Sequence, residues 1–97
     1  MPTYVALLRW TDQGAQSVKD ALERSRQAAE RIERLGGRML ANYWTQGAYD
    51  VVAIMEYPDE ETAAAGTLGA GLQGNIRSET MRAFDEQEMQ RILQKLS

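Results

Sequence analysis

Two apolar segments separated by only two residues constrain the fold of this chain more than any other feature. Arg38 to Gln46 and Tyr49 to Tyr57 each have the apolar and aromatic composition of a strand, and Gly47 and Ala48 lie between them. A two-residue loop with glycine first is typical of a type II′ turn, because glycine takes the positive φ without steric cost. The turn predicts a β-hairpin with the cross-strand pairs Gln46–Tyr49, Trp44–Val51, Asn42–Ala53 and Leu40–Met55.

The residues before the hairpin predict a strand followed by one long helix. Thr3 to Trp10 is short and apolar, as expected of a buried strand. From Val18 to Leu35 the apolar residues recur at helical spacing. Thr11 or Asp12 can supply the side-chain oxygen that caps the start of this helix, and Gly36-Gly37 can end it. The arginines between residues 24 and 38 alternate with glutamates, which predicts a solvated helix face rather than a phosphate-binding track.

A helix, a strand and a final helix are predicted after the hairpin. Asp59 is the predicted N-cap of a helix that runs roughly to Leu72. Its three glycines each cost about 1 kcal/mol relative to alanine, which favours a loose or short helix. Ile76 to Phe84 forms the fourth strand, and Asp85 and Glu88 make a capping-box pattern for the last helix. The glycines are Gly66, Gly69 and Gly71.

The element order βαββαβα predicts an α+β fold. A tight hairpin between two βα units is typical of a ferredoxin-like βαββαβ antiparallel sheet, here with an extra C-terminal helix. Right-handed crossovers place both main helices on one face of a sheet with strand order 4-1-3-2. Ninety-seven residues fit a single domain, residues 1–97.

Both faces of this sheet are apolar, although two helices can cover only one of them. The smaller aliphatic side chains are predicted to pack on the helices: Val5, Leu7, Met39, Ala41, Val52 and Ile54. The other face, predicted to be bare in a monomer, carries Leu8, Trp10, Trp44, Tyr49 and Met55. Large side chains gain roughly 1.5–3 kcal/mol each on burial, so a bare face of this kind favours association. We therefore expect a homodimer, or a higher homo-oligomer, whose sheets pack face to face as a dimeric α/β barrel.

Composition excludes several classes of function. The chain has no cysteine and no histidine, which removes the usual ligands of zinc and haem, and no glycine-rich nucleotide loop follows a strand. We therefore expect no cofactor and no metal. A net charge of −3 argues against binding to nucleic acid or to an anionic membrane. No apolar run approaches the ~20 residues of a membrane span, and a cytoplasmic location is expected.

Five segments, in order, give the chain a resemblance to a known family. They are RWTDQG after the first strand, GG after the first helix, GAYDVV, YPDEETAAA and GNIRSETMRAF. The chain resembles the GYD-domain family, small bacterial proteins named for a Gly-x-Tyr-Asp element, which is Gly47-Ala48-Tyr49-Asp50 here. The resemblance covers nearly the whole chain and implies a ferredoxin-like, dimeric α/β-barrel fold. It supplies no established reaction.

The candidate ligand-binding residues lie on the face predicted to be bare. Tyr49 and Trp44 could orient a ligand or fill a dimer interface, and Asn42 is an amide in an apolar surrounding that needs partners. On the fourth strand, Met81 and Ala83 suit the helices, which places Thr80 and Arg82 on the bare face. Arg82 could bind an acidic ligand there or pair with a carboxylate across the interface. The remaining candidate is Glu79, which a single bulge would bring to that face.

Two residues of the Gly-x-Tyr-Asp element are predicted to be structural. Gly47 forms the turn, and Asp50 faces the side opposite Tyr49, where its carboxylate accepts bonds from the turn or from a neighbouring amide. A catalytic base at Asp50 is the alternative. The Met1-Pro2 start is weak evidence for amino-terminal proline chemistry.

Three classes of function are compatible with these residues. The first is a homodimeric barrel that binds a small, partly apolar or aromatic molecule. The second is a cofactor-independent oxygenase or isomerase that acts on a phenolic or lactone substrate and stabilises its anion. The third is a structural oligomer with a solidly packed interior.

Overall fold

A four-stranded antiparallel sheet forms the centre of the computed structural model, which describes residues 1–96. The sheet order is β2-β3-β1-β4, which confirms the predicted order. All three strand pairings are antiparallel. The strands are β1 (Thr3–Trp10), β2 (Arg38–Trp44), β3 (Val51–Glu56) and β4 (Ile76–Ala83).

Four α-helices accompany the sheet in the described residues. They are α1 (Asp12–Gln16), α2 (Ala21–Arg34), α3 (Glu60–Leu72) and α4 (Glu86–Gln94), with a 3-10 turn at Val18–Asp20. The α+β architecture is consistent with a ferredoxin-like fold. Helices α2 and α3 lie on the same face of the sheet, as predicted, and together with it enclose a cleft. No helix of residues 1–96 is long and apolar enough to cross a membrane.

The prediction of one continuous first helix is wrong. Thr11 caps α1 by accepting a hydrogen bond from the Gly14 N–H, but the helix ends at Gln16. The Ser17 hydroxyl donates to the Gln13 carbonyl at 2.9 Å, and the Arg24 guanidinium donates to the Ser17 carbonyl at 2.6 Å. These side-chain bonds satisfy carbonyls at the end of α1, so the chain can turn there before α2 begins.

The hairpin has the predicted register over part of its length. Trp44 lies opposite Val51 and Asn42 lies opposite Ala53, as predicted. The pairing of Leu40 with Met55 is wrong, because a bulge between Met39 and Ala41 places Met39 opposite Met55. The extra residue of a bulge shifts every side chain before it by one position. Met39 therefore packs against the core, and Leu40 is exposed.

The predicted two-residue turn is also wrong. Gly47 has a positive φ of 139°, but β2 ends at Trp44 and β3 begins at Val51. The Thr45 hydroxyl donates to the Tyr49 carbonyl at 2.6 Å. A two-residue turn would pair that carbonyl with the N–H of Gln46. A wider loop results, closed by the Thr45 N–H and the Asp50 carbonyl at 2.8 Å.

The face that packs on the helices is the opposite of the predicted one. The core lies between the sheet and the helices, and its sheet residues belong to the Trp10 and Trp44 side. The helices present mostly small residues towards the sheet, so large sheet side chains fill the space between the two layers. The buried core residues are Tyr4, Ala6, Ile32, Ala53, Met55, Tyr57 and Ala63.

The second face of the sheet, here called the open face, keeps the aliphatic side chains expected on the helix side. It carries Val5, Leu7, Ala41, Tyr43, Val52, Ile54 and Met81. Tyr43 is 65% exposed and Met81 47% exposed. No helix of the described chain packs extensively on this face.

Helix α4 extends away from the body of the molecule. Asp85 and Glu88 form the predicted capping box at its start. The helix packs only marginally on the rest of the described chain, and Leu93 is exposed. The radius of gyration is 14.5 Å, against about 12.5 Å for a compact chain of this length.

Candidate functional site

A cleft lies between the sheet and helices α2 and α3. It has a volume of about 200 Å³ and a mostly apolar lining. Trp10 and Trp44 lie towards one end, where β1 and β2 both end on either side of β3. Tyr57 lies towards the other end, and Ala53 forms part of the floor between them. An apolar cavity with a few polar groups is the usual form of a small-molecule site.

Three of the predicted ligand-binding residues line this cleft: Asn42, Trp44 and Thr80. Asn42 is half-buried, and its amide forms no side-chain hydrogen bond within residues 1–96. The Thr80 hydroxyl lies 3.5 Å from the Ser78 hydroxyl, which also lines the cleft. The Asn42 amide and the two hydroxyls lie over an apolar floor and can orient a ligand by hydrogen bonds.

Two arginines of α2 supply the charge of the cleft. Arg24 donates to the Ser17 carbonyl and hydroxyl and to the Gly14 carbonyl, so its guanidinium is occupied by the end of α1. Arg31 has no carboxylate within 4.0 Å and no side-chain hydrogen bond in the described chain. No aspartate or glutamate lines the cleft within residues 1–96. The electrostatic environment of the cleft is therefore positive.

Tyr57 lies close to Arg31 at the end of the cleft remote from the tryptophans. Burial raises the pKa of the Tyr57 phenol, and the positive charge of Arg31 opposes this rise. The phenol is therefore neutral near pH 7 and can donate a hydrogen bond. Gly66 of α3 makes room for the ring, since a Cβ atom there would lie 2.3 Å from the Tyr57 hydroxyl. This glycine thus allows α3 to pack against the Tyr57 ring, where the sequence favoured a loose or short helix.

Tyr49 and Glu79 lie on the other side of the sheet. The Tyr49 hydroxyl donates to the Glu79 carboxylate at 2.8 Å, and the Arg9 guanidinium lies 4.5 Å from the centre of the Tyr49 ring. Arg9 and Glu79 are 3.7 Å apart. The hydrogen bond to Glu79 raises the pKa of the Tyr49 phenol. The prediction that Tyr49 shares a face with Asn42 and Trp44 is therefore wrong.

Arg82 joins the end of β4 to α4 instead of lining the cleft. Its guanidinium donates to the Glu88 carboxylate at 2.9 Å and to the Thr3 carbonyl at 3.3 Å, and it lies 4.5 Å from the centre of the Phe84 ring. The bond from Arg82 holds the pKa of Glu88 below its ordinary value. A side chain with this many partners has little capacity left for a ligand.

Asp50 lies between the hairpin loop and the end of β1. Its carboxylate accepts a hydrogen bond from the Trp10 N–H at 2.9 Å, and its own N–H donates to the Leu8 carbonyl at 2.8 Å. Asp50 thus extends the hydrogen bonding between β3 and β1 by one residue beyond the start of β3. Asp50 does not line the cleft.

The comparisons with known proteins agree with the fold. The sequence model of the GYD-domain family matches residues 4–93 of this chain. This chain belongs to the GYD-domain family. A relative from Thermus thermophilus, named glutamine synthetase and cystathionine beta-lyase binding protein, is 33% identical over 85 residues, which are 87% of this chain and 90% of the relative. A crystal structure of a protein from the same organism has a TM-score of 0.57 and 25% identity, covering 88% of this chain and 95% of the other.

The cleft of this GYD domain has few groups for metal or acid–base chemistry. Within the described residues no three Asp, Glu, His or Cys side chains cluster closely enough to hold a metal ion. Among residues 1–96, no carboxylate lines the cleft as a candidate general base. Its polar groups are amide, hydroxyl, phenol and guanidinium, which bind and orient a molecule without exchanging a proton with it near pH 7.

Sequence reasoning missed Arg31 and Tyr57. The charge pattern predicts a solvated face for Arg31, although Arg31 follows Arg24 by seven residues, or two helical turns, and both line the cleft. That spacing was a usable signal. Tyr57 is predicted only as the last residue of a strand, and nothing near it in the sequence indicates that it enters the cleft.

Proposed function

We propose that this GYD domain is a binding module that takes a small, partly apolar molecule into the cleft between its sheet and helices. The observation that carries the proposal is the Asn42 amide, which has no side-chain hydrogen bond within residues 1–96 and lines a mostly apolar cavity. A cavity of about 200 Å³ is smaller than the ~300–1,000 Å³ of sites for drug-sized molecules. A compound with a single ring therefore suits it best.

A thermal-shift screen of single-ring compounds on the purified protein tests this function. Asn42→Leu removes the amide at nearly constant volume and leaves no partner unpaired, so the fold should persist while binding weakens. Tyr49→Phe is the matched control, because Tyr49 lies on the open face, and binding should be unchanged. Loss of binding in Tyr49→Phe with full binding in Asn42→Leu would move the site to the open face.

The oxygenase or isomerase alternative predicts that a bound compound is converted. The missing carboxylate and the neutral Tyr57 phenol favour binding over proton transfer in the cleft. Mass spectrometry of the compounds after incubation distinguishes the two functions. An altered mass or retention time that depends on Asn42 would support the enzyme.

Binding to a partner enzyme is a second candidate function. It is suggested by the printed name of the Thermus relative, which is 33% identical to this chain. Leu68 and Leu72 of α3 are exposed and give that helix an apolar outer surface. Titration of this protein with purified glutamine synthetase or cystathionine beta-lyase from its own organism tests this candidate function. If the contact is made through α3, Leu68→Glu should weaken it.

We propose further that two copies associate through the open face as a barrel-like homodimer. The support is the apolar composition of this face and the exposed Tyr43 and Met81 side chains. The third class, a structural oligomer, shares this interface but predicts that the cleft binds no compound. Light scattering on the purified protein measures the association.

A further inference from the structure

The charged side chains that line the cleft are all positive, although the protein has a net charge of −3. Arg24 and Arg31 are the charged residues of its lining within the described chain, and neither has a carboxylate within 4.0 Å. Four other arginines are paired with glutamates: Arg9, Arg26, Arg38 and Arg82. Arg34, Arg77 and Arg91 lie outside the cleft and also have no carboxylate within 4.0 Å, so the distinguishing property of the cleft is that no acidic side chain of the described residues lines it.

Arg31 is the arginine whose guanidinium is available. The Arg24 guanidinium donates hydrogen bonds to the Ser17 and Gly14 carbonyls, whereas Arg31 makes no side-chain hydrogen bond within residues 1–96. Arg31 is also partly buried, so an anion beside it would be less screened than one at an exposed arginine. The hydroxyl of Tyr57 is a second donor at the same end of the cleft.

We propose that the ligand of the cleft is a small carboxylic acid whose carboxylate binds Arg31, with its apolar part against the floor towards Trp44. This inference rests on the proposed function and names its ligand class. The planar guanidinium can donate two parallel hydrogen bonds to a carboxylate, a geometry that an amide or amine does not reproduce. A cationic ligand would be repelled by Arg24 and Arg31, and no acidic side chain of the described residues lines the cleft to bind it.

Three probes of nearly equal size and different charge test the inference: phenylacetate, phenylacetamide and phenethylamine. We expect calorimetry on the full chain at pH 7 to give the order phenylacetate, then phenylacetamide, with phenethylamine weakest. The affinity for phenylacetate should fall as salt increases, and the affinity for phenylacetamide should not.

Arg31→Gln should weaken phenylacetate binding about tenfold or more, the size expected for a lost charge-assisted hydrogen bond, and leave phenylacetamide unchanged. Arg31→Lys should retain part of the preference. Arg34→Gln is the control, since Arg34 is exposed on the same helix and does not line the cleft. Circular dichroism checks that each variant folds.

The outcomes separate this inference from the proposed function. Equal affinity for phenylacetate and phenylacetamide, or an equal effect of Arg31→Gln and Arg34→Gln, would overturn the acid preference and leave the binding module intact. If none of the three probes and no neutral single-ring compound binds, the proposed function fails and the inference fails with it.

Discussion

Asp50 shows how one side chain of the Gly-x-Tyr-Asp element can serve the scaffold. Its carboxylate satisfies the N–H of Trp10 at the end of β1, where the loop has already separated from β2. A partly buried N–H without an acceptor is costly, because water cannot replace the lost bond fully. Tyr49, one residue earlier, points to the open face and contacts exposed charges. Adjacent residues of one motif thus have different surroundings.

Asp50→Ala is expected to lower the free energy of unfolding by roughly 1–3 kcal/mol, because the Trp10 N–H loses its acceptor. Asp50→Asn should retain most of the stability, since an amide oxygen can accept the same bond. Urea unfolding of both variants and the parent measures the difference. Normal stability of Asp50→Ala together with lost binding or turnover would make the carboxylate the functional group.

At the scale of elements, the sequence predicted which segments form the sheet but not which way its faces point. The strand order followed from the order of the elements and the right-handed crossovers, and the register at Asn42 followed from the hairpin. The faces were reversed because both are apolar, and the decisive factor is the small size of the helix residues opposite. The small alanine and glycine residues of α2 and α3 leave space that large sheet side chains such as Trp10 and Met55 fill. This fit depends on how the two layers pack and cannot be read from the sequence of either layer alone.

The candidate site was predicted in part for the same reason. Asn42 and Trp44 were grouped correctly because alternation along one strand relates them directly. Thr80 lines the same cleft, but it was placed there by assigning Met81 to the helix side, and that assignment is wrong because Met81 lies on the open face. Tyr49 follows the loop, whose conformation depends on the Thr45 hydroxyl bond rather than on a period. Arg31 depends on how α2 rotates against the sheet. Relations within the hairpin strands were thus predictable over part of their length, and relations through loops or between layers were not.

The glycines of α3 give a matched pair of substitutions. Gly66→Ala places a methyl group 2.3 Å from the Tyr57 hydroxyl. The Tyr57 ring is buried and has little room to move, so we expect the free energy of unfolding to fall by roughly 1–3 kcal/mol. Gly69→Ala meets no atom within 4 Å and should gain up to about 1 kcal/mol from helix propensity. Thermal unfolding of both variants measures the sign. A stabilising Gly66→Ala would contradict the close approach of α3 to Tyr57.

At the scale of the whole molecule, the chain leaves two apolar surfaces without a partner. One is the open face, and the other is the apolar side of α4, where Met89 and Leu93 are exposed. A chain of 97 residues buries only a modest share of its surface, so a second copy would add burial that the monomer lacks. The helix–sheet cleft lies on the opposite side of the sheet from the open face. Association through the open face would therefore leave the cleft of each copy accessible to a ligand.

Met81→Glu is expected to convert the protein from dimer to monomer at micromolar concentration. Met81 lies on β4 opposite Val5, on the open face, and is already 47% exposed. A glutamate there stays hydrated in the monomer, whereas in a packed interface its charge would lose water without gaining a partner. Leu68→Glu is the control, because Leu68 is 71% exposed on α3 on the other side of the sheet. Light scattering at several concentrations gives the mass of each variant. A parent protein that is monomeric throughout, or a Met81→Glu protein as dimeric as Leu68→Glu, would show that the open face does not join two copies.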